Sequence, residues 1–136
     1  MTTDDIFVGR LMSTPVETVT PDTLVEDAAG RMQDNEIGSL VVVGEDNALL
    51  GILTTTDFVD IVAKSKPKAE TTVERYMSTD VTTAAAGDSI HDVADQMVEH
   101  GFHHMPVVDD EEGVIGMITT TDMAAYLSHA EAPAPA

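Results

Sequence analysis

Apolar and polar positions along this chain follow two periods in turn, and the whole alternation is written twice. Leu24, Val25, Ala28, Ala29 and Met32 fall on one face of a helix and predict an amphipathic helix over 24–35. Ile90, Val93, Ala94, Met97 and Val98 predict its twin over 89–100. Thr23-Leu24-Val25-Glu26 has capping-box spacing for the first helix, and Asp88 or Ser89 starts the second. Beyond each helix the period shortens. The runs 39–43 and 105–108 predict buried strands, 44–47 and 109–113 read as turns, and 49–54 and 114–119 as returning strands. A last helix is expected over 57–63 and again over 122–128. Short helices (4–12, 72–77) and extended pieces (16–20, 81–84) precede each amphipathic helix, so the order is α-β-α-β-β-α, twice.

The two copies align without a gap at an offset of 65, residues 8–62 on 73–127, with 17 of the 55 pairs identical. Arg10/Arg75, Met12/Met77, Asp27/Asp92, Met32/Met97 and Gly51/Gly116 are among the shared positions. Two copies at so long a period exclude a solenoid and predict two α/β half-domains about a pseudo-twofold axis, with clefts between them. The boundaries expected from sequence are 1–63 for the first repeat with its N-terminal helix, 64–71 for a linker, 72–128 for the second repeat and 129–136 for a tail.

Composition narrows this picture. Apolar residues make up 43% of the chain but aromatics only 4%, so the core must be aliphatic. There is no cysteine, which removes disulfide and thiolate chemistry. No apolar run reaches the ~18 residues of a membrane span, and the opening Met-Thr-Thr-Asp-Asp is acidic where a signal peptide would be basic, giving a cytoplasmic expectation. Charge is the other strong feature: 25 acidic against 6 basic residues, a formal −19. That field opposes binding to nucleic acid or an anionic membrane. It suits solvent of very high salt, where the Debye length falls to about 3 Å at 1 M, and points to a halophilic source.

Each repeat closes on Gly-x-x-Thr-x-x-Asp, at 51–57 and 116–122. The phrase places a hydroxyl at a strand end and a carboxylate in the first turn of the next helix. Helix N–H groups between them suit a phosphate, and the carboxylate suits the two hydroxyls of a ribose. Thr54 and Thr119 would hold the phosphate side, Asp57 and Asp122 the ribose. The competing reading is a plain capping box, which the same spacing also makes; recurrence in register with the same glycine favours the ligand.

With its Met-Ser-Thr starts, its 41–43 and 105–109 strands and both closing phrases, the chain resembles a pair of CBS domains over about residues 6–128. The resemblance implies an α+β fold of two βαββα repeats that bind adenosyl ligands such as AMP, ADP, ATP, NAD or S-adenosylmethionine, and pairing of modules into a disc-shaped homodimer. Carried over position by position, the ligand-binding set is Thr18, Val19, Thr20, Ser39, Thr54 and Asp57 in the first repeat. In the second it is Thr83, Ala84, Ala85, His103, His104, Met105, Pro106, Thr119 and Asp122. The stretches 18–20 and 83–85 would line the adenine edge with backbone groups, and His103 and His104 would face the phosphates. Their first-repeat counterparts are Gly38 and Ser39, with no basic group, so a ligand of low charge, AMP foremost, is expected over ATP. With no effector domain attached, output is expected in trans on a protein effector.

Other residues fit blander roles. His91, His100, His103 and His104 could suggest a metal, but Gly101 interrupts the i,i+4 pair and no cysteine accompanies them. The acids 109–112 lack the spacing of a calcium loop. The methionines read as core or interface fill, while Arg10 and Arg75 read as surface ion-pair partners or, alternatively, phosphate contacts. No nucleophile–base pair is present, so the expectation is a binding module and not an enzyme. The rival reading is a constitutive dimerisation scaffold with empty clefts.

Overall fold

Strand β2 (Ser39–Val43) is buried at every position, which is why its sequence is a continuous Leu-Val-Val-Val run with no alternation. A computed structural model describes residues 6–63 and 71–130, except the side chains of His129 and Ala130. The expected linker apart from Thr71, and the end of the expected tail, lie outside the described residues. The elements in order are α1 (Val8–Leu11), β1 (Thr18–Val19), α2 (Val25–Asn35), β2, β3 (Leu49–Thr54), α3 (Thr55–Ala63), α4 (Ile90–His100), β4 (His104–Asp109), β5 (Gly113–Thr119) and α5 (Thr120–Ala130). Single 3₁₀ turns occupy Glu45–Asn47 and Val73–Arg75. Mixed helix and strand content in this order is the α+β architecture expected, though of the short helices expected at 4–12 and 72–77 the described residues form one turn each, residues 4 and 5 lying outside them.

The chain forms two compact units that cut across the repeats. One takes residues up to Pro15, Thr82–Glu111 and the chain from Ile115; the other takes Val16–Val81 with Glu112–Val114. We call them the second-repeat unit and the first-repeat unit after the repeat that supplies most of each.

In the first-repeat unit β1 runs parallel to β2 and β2 antiparallel to β3, with Ser39 opposite Thr54 and Val42 opposite Gly51. Ser78 adds to the far edge through an antiparallel bridge to Ile52, its N–H and C=O both engaged, at 2.9 and 3.0 Å. Leu40, Val42, Leu53, Met32, Ile61 and Val73 are among the residues filling the core beneath. Full burial of a side chain such as Leu40 contributes about 1.5–3 kcal/mol.

The second-repeat unit repeats the plan. β4 pairs with β5, Ala84 bridges Val107 in parallel, and Ser13 bridges Met117 antiparallel on the far edge. Its core includes Met105, Val107, Ile118, Val93 and Met97, and also Val8, which is fully buried there. Ser13 and Ser78, like Ile52 and Met117, stand 65 positions apart in sequence. Each repeat's opening segment is therefore the edge strand of the unit built mainly from the other repeat. The shared Met and Gly positions follow from this exchange, because Met77 lies against Gly51 and Met12 against Gly116 where no Cβ would fit.

The amphipathic helices differ at their starts. Ser89 is the N-cap of α4 and its Oγ accepts the His91 N–H at 3.1 Å. The capping box expected at 23–26 does not form: Leu24 is the N-cap of α2 and provides no side-chain bond. Thr23 Oγ1 instead accepts the Thr20 N–H at 3.2 Å, closing the turn before the helix. Both helices end on a left-handed residue, Glu36 in α2 and Gly101 in α4. Among the described residues no helix is long and apolar enough to cross a membrane.

Candidate functional site

The closing phrase crosses from strand to helix in the same way in both units. Thr54 ends β3 and Thr119 ends β5, so Asp57 and Asp122 fall at the third position of α3 and α5. Asp57 Oδ2 accepts the Thr54 N–H at 2.8 Å and the Thr54 hydroxyl at 3.3 Å. Asp122 Oδ2 accepts the Thr119 N–H at 2.9 Å, and the Asp122 N–H donates back to Thr119 Oγ1 at 3.0 Å. These are capping bonds. They also hold each half-buried carboxylate in one orientation and use Oδ2 for it. Oδ1 of Asp57 accepts nothing among the described residues, while Oδ1 of Asp122 accepts the Ser13 hydroxyl at 3.3 Å.

The strand starts sit beside these helix ends. The Thr55 N–H donates to the Gly38 carbonyl at 3.2 Å and the Thr120 N–H to the His103 carbonyl at 3.0 Å. Ser39, opposite Thr54, is buried. The strand register then ranks the proposed adenine edge. Thr18 lies beside Val41 and Val19 beside Val42, so at about 3.3 Å per residue Thr18 is ~7 Å along the strand from Ser39 and Val19 ~10 Å. The structure gathers Ser39, Thr54 and Asp57, places Thr18 two strand positions from Ser39, and buries Val19 in the core. The Thr18 carbonyl accepts Arg31 Nη1 at 3.0 Å, and that guanidinium stands 3.9 Å from Glu17 Oε2. Thr20 is tied to Asp22 through its hydroxyl and to Thr23 through its N–H.

In the second-repeat unit the same stretch is more open at its start. The Ala84 N–H donates to the Pro106 carbonyl and its carbonyl accepts the Val108 N–H, both at 2.9 Å. The Ala85 N–H donates to Asp88 Oδ2 at 2.9 Å, and the Ala85 carbonyl accepts the Asp88 N–H at 3.0 Å. Thr83 is the member of that trio whose backbone is engaged by no described residue. Thr82 joins it for a chemical reason. In the first-repeat unit the Val41 N–H donates to the Glu17 carbonyl at 3.3 Å. Pro106, at the position of Val41, has no N–H to offer the Thr82 carbonyl. Met105 and Pro106 are themselves fully buried, so their side chains build the core.

His104 is half-buried and His103 exposed. Burial pushes the His104 imidazole below the ordinary histidine value, the charge of His103 pushes the same way, and Asp122 pulls back upward. At neutral pH the His104 ring is therefore a neutral hydrogen-bonding group. His100 stacks on Phe102 with ring centroids 5.6 Å apart, and among the described residues no three His or acidic side chains converge to hold a metal. Arg10 and Arg75 are exposed and make no ion pair among the described residues.

Three residues escape reading from sequence. Ser13 and Arg31 act through partners 109 and 13 positions away, which periodicity does not reveal. Thr82 was legible in principle, since a proline at 106 removes the donor its carbonyl would use.

Residues 8–64 and 73–129 each match the sequence model of the CBS domain. A 17.7 kDa protein of Acidianus ambivalens is 32% identical over 120 residues, spanning 88% of this chain and 72% of that one. The CBS domain-containing protein YhcV of Bacillus subtilis is 29% identical over 86% of this chain and 82% of its own. A homoserine O-acetyltransferase of Methanobrevibacter ruminantium is 36% identical over 89% of this chain, but the chain spans only 24% of that protein. Among solved structures, the CBS domain pair of protein MJ0100 in complex with 5′-methylthioadenosine and S-adenosyl-L-methionine superposes with a TM-score of 0.84 at 27% identity, covering 92% of this chain and 98% of that one.

Proposed function

The chain belongs to the CBS domain family as a tandem pair, and from that premise we propose that it is a regulatory module that binds an adenosyl ligand, through Asp57 in one unit and Asp122 in the other. The observation that carries this reading is the recurrence of an oriented, half-buried carboxylate at a helix start beside a strand end, once per unit. Helix N-termini favour the phosphate or carboxylate of such ligands, and the carboxylate oxygens accept ribose hydroxyls. The complex of the MJ0100 pair with methylthioadenosine and S-adenosylmethionine supports the ligand class.

Ligand charge follows from the site residues. The first-repeat unit offers Ser39 where the second offers the neutral His104, and among the described residues no cation bonds Ser39, Thr54 or Asp57, so AMP or an uncharged or sulfonium nucleoside fits better than ATP. A second copy of the chain and a protein effector complete the proposal. Val59 and Val62 on α3 are about two-thirds exposed, and an apolar cavity of about 120 Å³ opens between Ile90, Ala94, Met123 and Leu127; both suit burial against another subunit.

One observation favours a second reading. The capping bonds give Asp57 and Asp122 a structural role that needs no ligand, as a scaffold with empty sites would require. Thermal unfolding in multimolar KCl with AMP, ADP, ATP, NAD, S-adenosylmethionine and methylthioadenosine separates the two. A ligand at 100 times its Kd stabilises by about 2.7 kcal/mol, a shift of several degrees for a domain of this size. The sensor requires such a shift with at least one ligand and its loss in Asp122→Ala, Asp57→Ala or their combination. No shift with any ligand leaves the scaffold.

A further inference from the structure

We propose that Ser13 is a built-in competitor at the second-repeat site, its hydroxyl standing where a ribose hydroxyl would approach Asp122, so that ligand entry loosens the N-terminal segment. The inference rests on the reading of Asp122 as the ribose group. The Thr119 N–H holds Oδ2 from the backbone side at 2.9 Å, which leaves Oδ1 as the oxygen open to an incoming donor. Ser13 Oγ already donates to Oδ1 at 3.3 Å from an exposed position. That bond is long and exposed, so a better-placed hydroxyl displaces it at small cost.

The segment carrying Ser13 frames the site on two sides. Its Val8 and Gly9 N–H groups donate to the Asp88 and Ala86 carbonyls, both at 2.9 Å, just past the Thr83–Ala85 stretch. Ser13 exchanges backbone bonds with Met117, at 2.8 and 3.2 Å, two residues before Thr119. A ligand that takes Asp122 Oδ1 therefore acts on one end of a strap whose other end borders the nucleoside edge. Among the described residues the device is found in one unit only. Ser78, the repeat counterpart of Ser13, bonds Ile52 through its backbone, and its hydroxyl makes no bond to Asp57.

The test is calorimetric titration of the full chain in multimolar KCl with AMP and, separately, 5′-methylthioadenosine, comparing wild type, Ser13→Ala, Ser78→Ala and Asp122→Ala. Ser13→Ala should bind about 2- to 10-fold more tightly, the range set by one exposed hydrogen bond, and Ser78→Ala should match wild type. Hydrogen exchange on the wild-type chain gives a readout without substitution: ligand should speed exchange across 8–13. Unchanged or weaker binding by Ser13→Ala, or slower exchange across 8–13, overturns the competitor while binding that is lost in Asp122→Ala upholds the site. If neither nucleoside binds wild type, the site reading falls and the competitor with it.

Discussion

A Cβ on Gly116 would stand 2.6 Å from the sulfur of Met12, and one on Gly51 would stand 2.8 Å from the carbonyl oxygen of Ser78 and 2.9 Å from the sulfur of Met77. The two glycines occupy one repeat position, yet their neighbours differ in kind. A thioether on three rotatable bonds can swing aside; a backbone carbonyl bonded across a strand edge cannot. Gly116→Ala should therefore cost about 1–3 kcal/mol as ordinary overpacking, and Gly51→Ala more. Met12→Ala should relieve the first variant, whereas Met77→Ala should relieve the second only in part. Urea unfolding of the single and double variants at fixed KCl reads both differences.

Gly113 is a sharper case. Its φ is +76°, and an added Cβ would fall 2.2 Å from the Asn47 carbonyl oxygen. Asn47 in turn donates from Nδ2 to the Val114 carbonyl at 2.6 Å and the Glu112 carbonyl at 3.1 Å. Gly113→Ala should lose at least about 2 kcal/mol, from backbone strain plus the clash. Asn47→Ala should lose about 1–3 kcal/mol as its bonds go unmade. Equal stability of Gly113→Ala and wild type would contradict this turn geometry.

The histidine at the site sets a pH dependence. The folded value of His104 lies below the ordinary 6.5, so between the two the unfolded chain binds more protons than the folded one. Stability from this group is present above about pH 6.5 and declines as pH falls through that window towards the lower folded value. Replacing it, as His104→Gln, should flatten the difference in unfolding free energy between pH 7.5 and 5.5. An unchanged slope would remove His104 as its source.

Asp122→Asn separates the cap from the ligand contact. The amide oxygen can still accept the Thr119 N–H, so stability should stay within about 0.5 kcal/mol of wild type. The charged acceptor is gone, and adenosyl-ligand affinity should fall about tenfold or more. Retained affinity with lost stability would assign Asp122 to capping alone.

Salt should govern stability as a whole. With a formal charge of −19, self-repulsion is long-ranged in dilute buffer and screened within about 3 Å at 1 M. The thermal midpoint should rise steeply as KCl goes from 0.1 to 2 M, and an equimolar neutral osmolyte should not reproduce the rise.

Local features of the fold were open to reading from the residues. β2 and β3 fall where the apolar runs place them, since a strand buried on both faces leaves a continuous apolar signature. Helices α2 and α4 begin one residue later than their periodicity suggests. The Thr-to-Asp step from strand to helix was also legible, because its geometry is set within four residues. Long-range choices were not. Val8 reads as part of a first-repeat helix, yet it is buried in the second-repeat core with its N–H on Asp88. Nothing within its own segment encodes that partner. Thr23 has the right spacing for a cap, but the competing Thr20 turn claims its hydroxyl. Which backbone groups of the 18–20 and 83–85 stretches are already engaged was not legible either, because it depends on the register against β2 and β4.

The exchange of opening segments bears on how the gene can be divided. A chain carrying one repeat alone would own a loose edge strand and a sheet lacking one, and two such chains could satisfy each other only by trading strands. Within this chain the two repeats make that trade covalently, Ser13 bridging Met117 and Ser78 bridging Ile52. Halves produced separately, cut within residues 64–70, should each be poorly folded and should recover structure when mixed.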